Sequence, residues 1–130
     1  MENEDNLKTG SRIWFIPDGY LPFEGKTENS GYEGHESLMI LNCNDKDADV
    51  LLDIFFEDKE PFKDIKLKVP ARRIKCFRMD SPESIGGLQI ERLSQYAIRV
   101  RSNIEIVVQY AKMDVTQENL SYVGMIAYPG

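Results

Sequence analysis

Short segments in which apolar and polar side chains alternate constrain the fold of this chain more than any other feature. In residues 95–103, one set of positions is Tyr96, Ile98 and Val100, and the alternate set is Ala97, Arg99 and Arg101. A period of two places successive side chains on opposite faces of a β-strand, so that one face meets a core and the other meets solvent. The alternation therefore predicts half-buried β-strands.

Seven further segments have the length and composition of strands; they are residues 12–16, 37–42, 48–58, 65–69, 73–79, 105–113 and 123–128. Stretches rich in Gly, Pro, Asn and Asp separate them. Many short strands with frequent turns are typical of an antiparallel β-sandwich or a jelly-roll-like relative. Only residues 114–122 have the pattern of a helix, with Asp114 or Thr116 as its cap. We therefore expect an all-β, antiparallel β-sandwich with at most one short helix near the C-terminus.

A chain of 130 residues has the length of one ordinary domain. Residues 1–9 are predicted to form a flexible acidic tail, and residues 10–130 a single β-sandwich domain. The first residues lack the basic and apolar regions of a secretory signal. Cys43 and Cys76 are far apart and form no CxxC pair, which favours two reduced thiols over a disulfide framework or a zinc site. We expect a cytoplasmic protein without a zinc site.

Positive charge is concentrated in residues 63–78, which hold 7 Lys or Arg against 1 acidic residue in a chain of net charge −6. A local basic cluster can bind phosphate or carboxylate, and a weak DNA-binding regulator is the least favoured binding function that it allows. The alternative is that these charges lie on edge strands, where they discourage aggregation between sheet edges. The net acidic charge of the chain makes nucleic acid an unlikely partner.

Catalytic motifs give no support to an enzyme. The segment "HESLM" starts like a zinc-protease motif, but Met39 stands where the second histidine must be, and its alternating pattern indicates a strand rather than a helix. His35 is the only histidine, which excludes a site of several histidines. We therefore predict a binding or signalling module that is not an enzyme.

Several motifs of this chain resemble those of the soluble sensory rhodopsin transducer family, which includes the cyanobacterial transducer proteins. The matching motifs are "GSRIWFIPDGYLP" (10–22), "GHESLMILNCNDKDADV" (34–50), "DKEP" (58–61), "VPARRIKCFR" (69–78), "SNIEIVVQYAKMD" (102–114) and "IAY" (126–128). The resemblance implies a small all-β sandwich that assembles as a cytoplasmic homotetramer, with no cofactor and no established catalysis. It also implies association with a membrane photoreceptor, as in the best-known members.

The residues that carry over from the family motifs are candidates for a ligand site: Trp14, His35, Glu36, Arg72 and Arg73. Guanidinium groups supply paired donors, a carboxylate accepts from hydroxyls, and an indole stacks on an apolar face, so the set suits a sugar-like or anionic metabolite. This ligand-binding function, unrelated to light, is the alternative to signalling. In a second reading, the same groups form a buried polar network or a subunit contact, and Trp14 is a core anchor.

The chain departs from the family pattern at Cys76 and Tyr110, where histidines often stand, and at Lys112 and Met113. Any family site built from several histidines is therefore not expected here.

Two structural expectations follow from the strand patterns. If the period of two continues from Pro70, Arg72 and Arg73 point to opposite faces, and we expect Arg72 to be buried against a carboxylate such as Glu36 or against a neighbouring subunit. Both faces of residues 37–42 and 48–58 carry apolar side chains, more than one core needs. The excess is predicted to lie between subunits.

Overall fold

The computed structural model describes residues 8–25, 33–115 and 121–130. Within these ranges the chain forms eight β-strands and one short 3-10 helix. The strands are β1 (Ser11–Tyr20), β2 (His35–Asn42), β3 (Ala48–Phe56), β4 (Phe62–Val69), β5 (Arg73–Arg78), β6 (Gln95–Asp114), β7 (Ser121–Ile126) and β8 (Tyr128–Pro129), and the 3-10 helix is Pro82–Ile85.

Two antiparallel sheets share the long strand β6. The first sheet has the order β4-β3-β6-β1-β8, and the second has the order β5-β2-β6-β7. Residues 95–102 of β6 pair with β1 and β3, whereas residues 107–114 pair with β2 and β7. Every pairing is antiparallel, so the prediction of an all-β antiparallel fold is confirmed.

The core lies between the inward faces of the two sheets. The alternation read from residues 95–103 is observed, because Tyr96, Ile98 and Val100 are buried while their neighbours are partly exposed. The largest buried aliphatic side chains come from both sheets and include Ile16, Leu38, Ile40, Leu52, Ile54 and Ile106. The core is therefore formed by the alternate, inward-facing side chains of strands in both sheets.

Two local predictions are corrected by the structure. The segments 95–103 and 105–113 form one strand rather than two, because β6 keeps antiparallel partners on both sides as it passes from one sheet to the other. The predicted helix at 114–122 is wrong at its described ends, since Asp114 ends β6 and Ser121 begins β7; residues 116–120 lie outside the described ranges. None of the described segments forms a helix long and apolar enough to cross a bilayer.

The basic segment joins one sheet to the other. Strand β4 ends at Val69, residues 70–72 turn, and β5 begins at Arg73. Arg72 has a φ of 56°, in the left-handed region, so the period of two does not continue through it, and the face assignment made from Pro70 is wrong. Among the described strands, β4 ends the order of the first sheet and β5 pairs only with β2, so this basic segment lies on two edge strands.

Candidate functional site

A buried carboxylate, that of Glu36, is the centre of the main polar cluster between the sheets. Glu36 has no exposed surface. Its Oε1 accepts hydrogen bonds from the Tyr96 hydroxyl at 2.6 Å, the Tyr110 hydroxyl at 3.0 Å and the backbone N–H of Tyr20 at 2.9 Å. The two tyrosine hydroxyls also contact each other. We call Glu36, its three donors and Lys112 the Glu36 network.

Strand geometry explains why these residues meet. On β2, Glu36 shares the inward face with Leu38 and Ile40, and it pairs directly with Lys112 of β6. Tyr96 belongs to the part of β6 in the first sheet and Tyr110 to the part in the second. One carboxylate therefore ties both halves of β6 to β1 and β2.

The other carboxylate oxygen of Glu36 faces Lys112. Nζ of Lys112 lies 3.3 Å from Oε2, which accepts no hydrogen bond from the described residues. Burial raises the pKa of Glu36, and the hydrogen bond from Tyr96 and the charge of Lys112 oppose that rise. Burial also raises the pKa of Tyr96 and of Tyr110, so both hydroxyls stay protonated and donate.

Lys112 connects the Glu36 network to the surface. Its side chain is 28% exposed, and Nζ lies 5.8 Å from the centre of the Tyr20 ring, which is itself exposed. The carboxylate beneath it is closed to ligands in this conformation. The arrangement fits the alternative of a buried polar network that holds the strands together.

The five predicted site residues do not line one pocket. His35 lies beside Glu36 in sequence but on the opposite face of β2, with Nδ1 2.8 Å from the carbonyl oxygen of Glu33. Trp14 is in the core, and its Nε1 donates to the carbonyl oxygens of Ser11 and Ile106. Arg73 pairs with Asn42, roughly 20 Å along β2 from Glu36. The ligand-binding role of these residues stays a prediction.

The predicted contact between Arg72 and Glu36 is wrong. The Arg72 side chain is 72% exposed, and its Nη1 lies 3.6 Å from Oδ1 of Asp45 in the neighbouring turn. Arg73 is exposed as well, and its Nη1 donates to the carbonyl oxygen of Arg72. The physical reason is the turn at residues 70–72, which directs this end of the basic segment to the surface.

Sequence reasoning missed Tyr96, Tyr110 and Lys112 as partners of Glu36. One signal was available, because both tyrosines occupy inward positions of the alternating pattern, and a buried tyrosine hydroxyl needs a hydrogen-bond partner. The alternating pattern could not predict that Glu36 is this partner, because Glu36 lies on a different strand. Lys112 carried no comparable signal.

A second polar cluster lies on the outer face of the first sheet, around the fully buried carboxylate of Asp53. Arg101 donates to Asp53 through Nε and Nη2 at 2.8 and 2.7 Å, and Arg99 Nε donates at 2.8 Å. Although burial alone would raise the pKa of Asp53, hydrogen bonds from Arg101, the Asp64 backbone N–H and Arg99 lower it to about 2. Asp53 is therefore ionised at neutral pH, buried beneath the side chains of the outer face.

The outer face of the second sheet is largely apolar. Register pairing places side chains in rows across β5, β2, β6 and β7, and the polar members of these rows are His35, Ser37, Arg78 and Gln109. The large apolar members and the cysteine are Met39, Leu41, Ile74, Cys76, Val107, Met113, Tyr122 and Ile126. We call this set the apolar face. Ile126 is 85% exposed and Ile74 is 63% exposed. The arrangement agrees with the sequence observation that both sides of residues 37–42 carry apolar side chains.

The described residues contain no group of three or more His, Cys, Asp or Glu side chains placed to hold a metal ion. Both cysteines are free and exposed, and Cys76 is part of the apolar face. The structure thus offers two surfaces for recognition, the apolar face and the charged outer face of the first sheet.

Comparisons with known proteins identify the family. A crystal structure of Thermotoga maritima 1070 superposes with a TM-score of 0.80 and 30% sequence identity, covering 93% of this chain and 96% of that one. The Anabaena sensory rhodopsin transducer superposes with a TM-score of 0.68 and 36% identity, covering 80% of this chain and 89% of that one. No curated protein sequence matches this chain significantly. Residues 9–129 match the family model described as Anabaena sensory rhodopsin transducer, and the chain belongs to this family.

Proposed function

We propose that this protein is a non-enzymatic, cytoplasmic signalling module that forms a homotetramer and relays a signal through protein contacts. The observation that carries the proposal is the apolar face. Apolar side chains from four adjacent strands lie on one outer face, interrupted in the register by Gln109, Ser37 and Arg78, and a monomer would leave the exposed ones in contact with water.

The composition of the apolar face supports contact with protein rather than with a polar ligand. Its central rows place Leu41 between Ile74 and Val107, and Cys76 beside Met39. The cores of protein interfaces are depleted in charge and enriched in apolar side chains, as these rows are. In the next row, Arg78 is held by a bidentate contact with Asp80.

Self-association can be tested by light scattering at micromolar concentration. We expect a mass four times the 15.0 kDa of one chain. Ile126→Lys should shift the mass towards that of one chain, because it buries an unpaired charge in the contact. The matched control is Phe62→Lys on strand β4, which exchanges an exposed apolar side chain outside the apolar face and should leave the mass unchanged. A monomeric wild-type protein would contradict the proposal.

A non-enzymatic role is supported by the closure of the Glu36 network. The adjacent pair His35 and Glu36 is the arrangement that could have supplied acid-base chemistry, but their side chains point to opposite faces of β2 and Glu36 has no exposed surface. General acid-base catalysis requires a group within hydrogen-bond reach of the substrate.

The family resemblance suggests the kind of protein that this chain contacts. One structural relative is named a sensory rhodopsin transducer, and we propose that this chain contacts a membrane photoreceptor of that class. The test is co-sedimentation with a retinal photoreceptor from the same organism in lipid nanodiscs, with empty nanodiscs as the control. Equal retention on both would reject the photoreceptor and would leave self-association to be judged by light scattering.

A further inference from the structure

A groove crosses the outer face of the first sheet, on the side of the molecule away from the apolar face. It has a volume of about 530 Å³, and its lining includes Asp49, Leu51, Lys66, Arg101 and Asn103. Leu51 lies between Lys66 of β4 and Arg101 of β6, directly opposite both in register. The floor of the groove is therefore an aliphatic side chain with a cation on each side.

Arg101 is held in one position before any ligand arrives. Its Nε and Nη2 donate to Asp53, and Nη2 also donates to Asp64 at 2.6 Å. These bonds leave Nη1 without a hydrogen-bond partner among the described residues. A guanidinium fixed by two carboxylates presents its remaining donor at little further cost in side-chain entropy.

Lys66 supplies the charge that its surroundings do not neutralise. Seven charged side chains lie on or next to this face: Lys66, Lys68, Arg99, Arg101, Asp49, Asp53 and Asp64. Lys68 lies 4.0 Å from Asp49, and both arginines pair with Asp53, whereas Lys66 has no ion pair or hydrogen bond within the described ranges. One positive charge is left over, although the whole chain is acidic.

Asn103 adds a neutral donor at the end of the groove. Its Oδ1 accepts the backbone N–H of Asp49 at 2.8 Å, and its amide nitrogen donates no hydrogen bond within the described ranges. We propose that this groove binds a small aliphatic carboxylate, whose carboxylate group lies between Lys66 and Arg101 and whose hydrocarbon body covers Leu51. The proposal goes beyond the protein contact proposed above and does not depend on it, because the two surfaces belong to different sheets.

The chemistry of the groove separates this ligand class from others. A cationic ligand would meet Lys66 and Arg101, and a purely inorganic anion would leave Leu51 uncovered. A neutral chain would cover Leu51 but would gain nothing from the two cations. Charge-assisted hydrogen bonds are about twice as strong as neutral ones, which favours a carboxylate with an apolar body.

The test is a titration of the full chain with hexanoate, followed by amide NMR. Hexylammonium, 1-hexanol and acetate are the comparison probes, since each lacks either the negative charge or the hydrocarbon body. We expect hexanoate to shift the amides of Leu51, Lys66 and Arg101 and to bind about tenfold more tightly than each comparison probe, a difference of about 1.4 kcal/mol.

Two variants keep the test specific. Lys66→Gln removes an exposed charge and should weaken hexanoate binding about fivefold or more, since a charge-assisted contact is lost. Lys63→Gln removes an exposed lysine of the same strand outside the groove and should leave binding unchanged. Leu51→Glu should abolish binding. Equal binding of hexylammonium, shifts located elsewhere, or an unchanged affinity in Lys66→Gln would overturn the proposal, whatever the oligomeric state.

Discussion

Two buried carboxylates have pKa values that their surroundings move in opposite directions. Glu36 is buried between the sheets with neutral hydroxyl donors and a single lysine, and burial raises its pKa. Asp53 is equally buried but lies on an outer face beneath two arginines, which lower its pKa to about 2. The same functional group therefore has a raised pKa at one site and a lowered pKa at the other.

The pH dependence of stability reports on Glu36. Because its pKa in the folded state is raised above 4.5, its contribution to the free energy of unfolding is present below that pH and is lost as the pH rises through the folded pKa. Glu36→Gln should remove this decline in the free energy of unfolding with rising pH, because the amide does not titrate. Urea unfolding between about pH 4.5 and 8 measures it, with Tyr110→Phe as a control that retains the titrating carboxylate. A Glu36→Gln profile parallel to the wild type would contradict the assignment.

Truncation of Glu36 tests its role as a tie between strands. Glu36→Ala leaves two buried hydroxyls and one backbone N–H without their acceptor and leaves Lys112 without its counter-ion. The expected loss is about 3 to 5 kcal/mol in the free energy of unfolding. Truncation of the exposed Glu83 to Ala is the control and should change stability by less than about 0.5 kcal/mol.

Asp53 has the opposite dependence on pH. Its pKa falls from 3.8 to about 2 on folding, so its stabilisation is present above pH 3.8 and is lost as the pH falls through about 2. The shift corresponds to about 2 kcal/mol at most, since both arginine partners are partly exposed. Asp53→Asn should therefore be less stable than the wild type above pH 3.8, and the difference in the free energy of unfolding should shrink as the pH falls. Urea unfolding at several pH values measures this difference. The exposed Asp49→Asn should show no such narrowing.

At the scale of elements, strand β6 is the central component of the fold. It belongs to both sheets, and the change from one to the other occurs near Ile106, which still pairs with Ser11 of β1. Trp14 Nε1 donates to the carbonyl oxygen of Ile106, and Gly10 packs against the backbone of the same residue. A side chain at position 10 would therefore disturb both sheets, because β6 belongs to both.

Gly10 provides a test of this crossing. Its φ of 128° disfavours any L side chain, and a Cβ built there would lie 1.9 Å from the carbonyl oxygen of Ile106. Gly87 has a φ of 86° but open space around its Cβ position. We expect Gly87→Ala to cost about 1 kcal/mol and Gly10→Ala to cost clearly more, measured by urea unfolding. Equal losses would show that the crossing tolerates a side chain.

At the scale of the whole molecule, the fold depends on contacts between distant parts of the chain. Ser11 pairs with Ile106, and Trp14 lies beside Pro129 of β8. Closing such long loops costs entropy before the contacts form, so we expect refolding in about a millisecond to seconds. The emission of Trp14, the only tryptophan, follows this step in stopped-flow experiments. Refolding in microseconds would contradict the expectation.

The sequence alone determined the period-two alternation, the all-β antiparallel class and the family. These features follow from local periodicity and from motifs such as those around Trp14 and His35, which can be read without knowing which strands pair. It also indicated an excess of apolar surface at residues 37–42, because alternation marks both faces of a strand.

The tertiary structure alone decided which side chains meet. The pattern of residues 95–103 and 105–113 could not reveal one continuous β6, since continuity depends on partners supplied by β1, β2, β3 and β7. Pairing of Glu36 with Tyr96 and Tyr110, rather than with Arg72, follows from the register of distant strands and from a left-handed turn at Arg72. Periodicity describes one strand at a time, whereas a site is formed by side chains that several strands bring to one place.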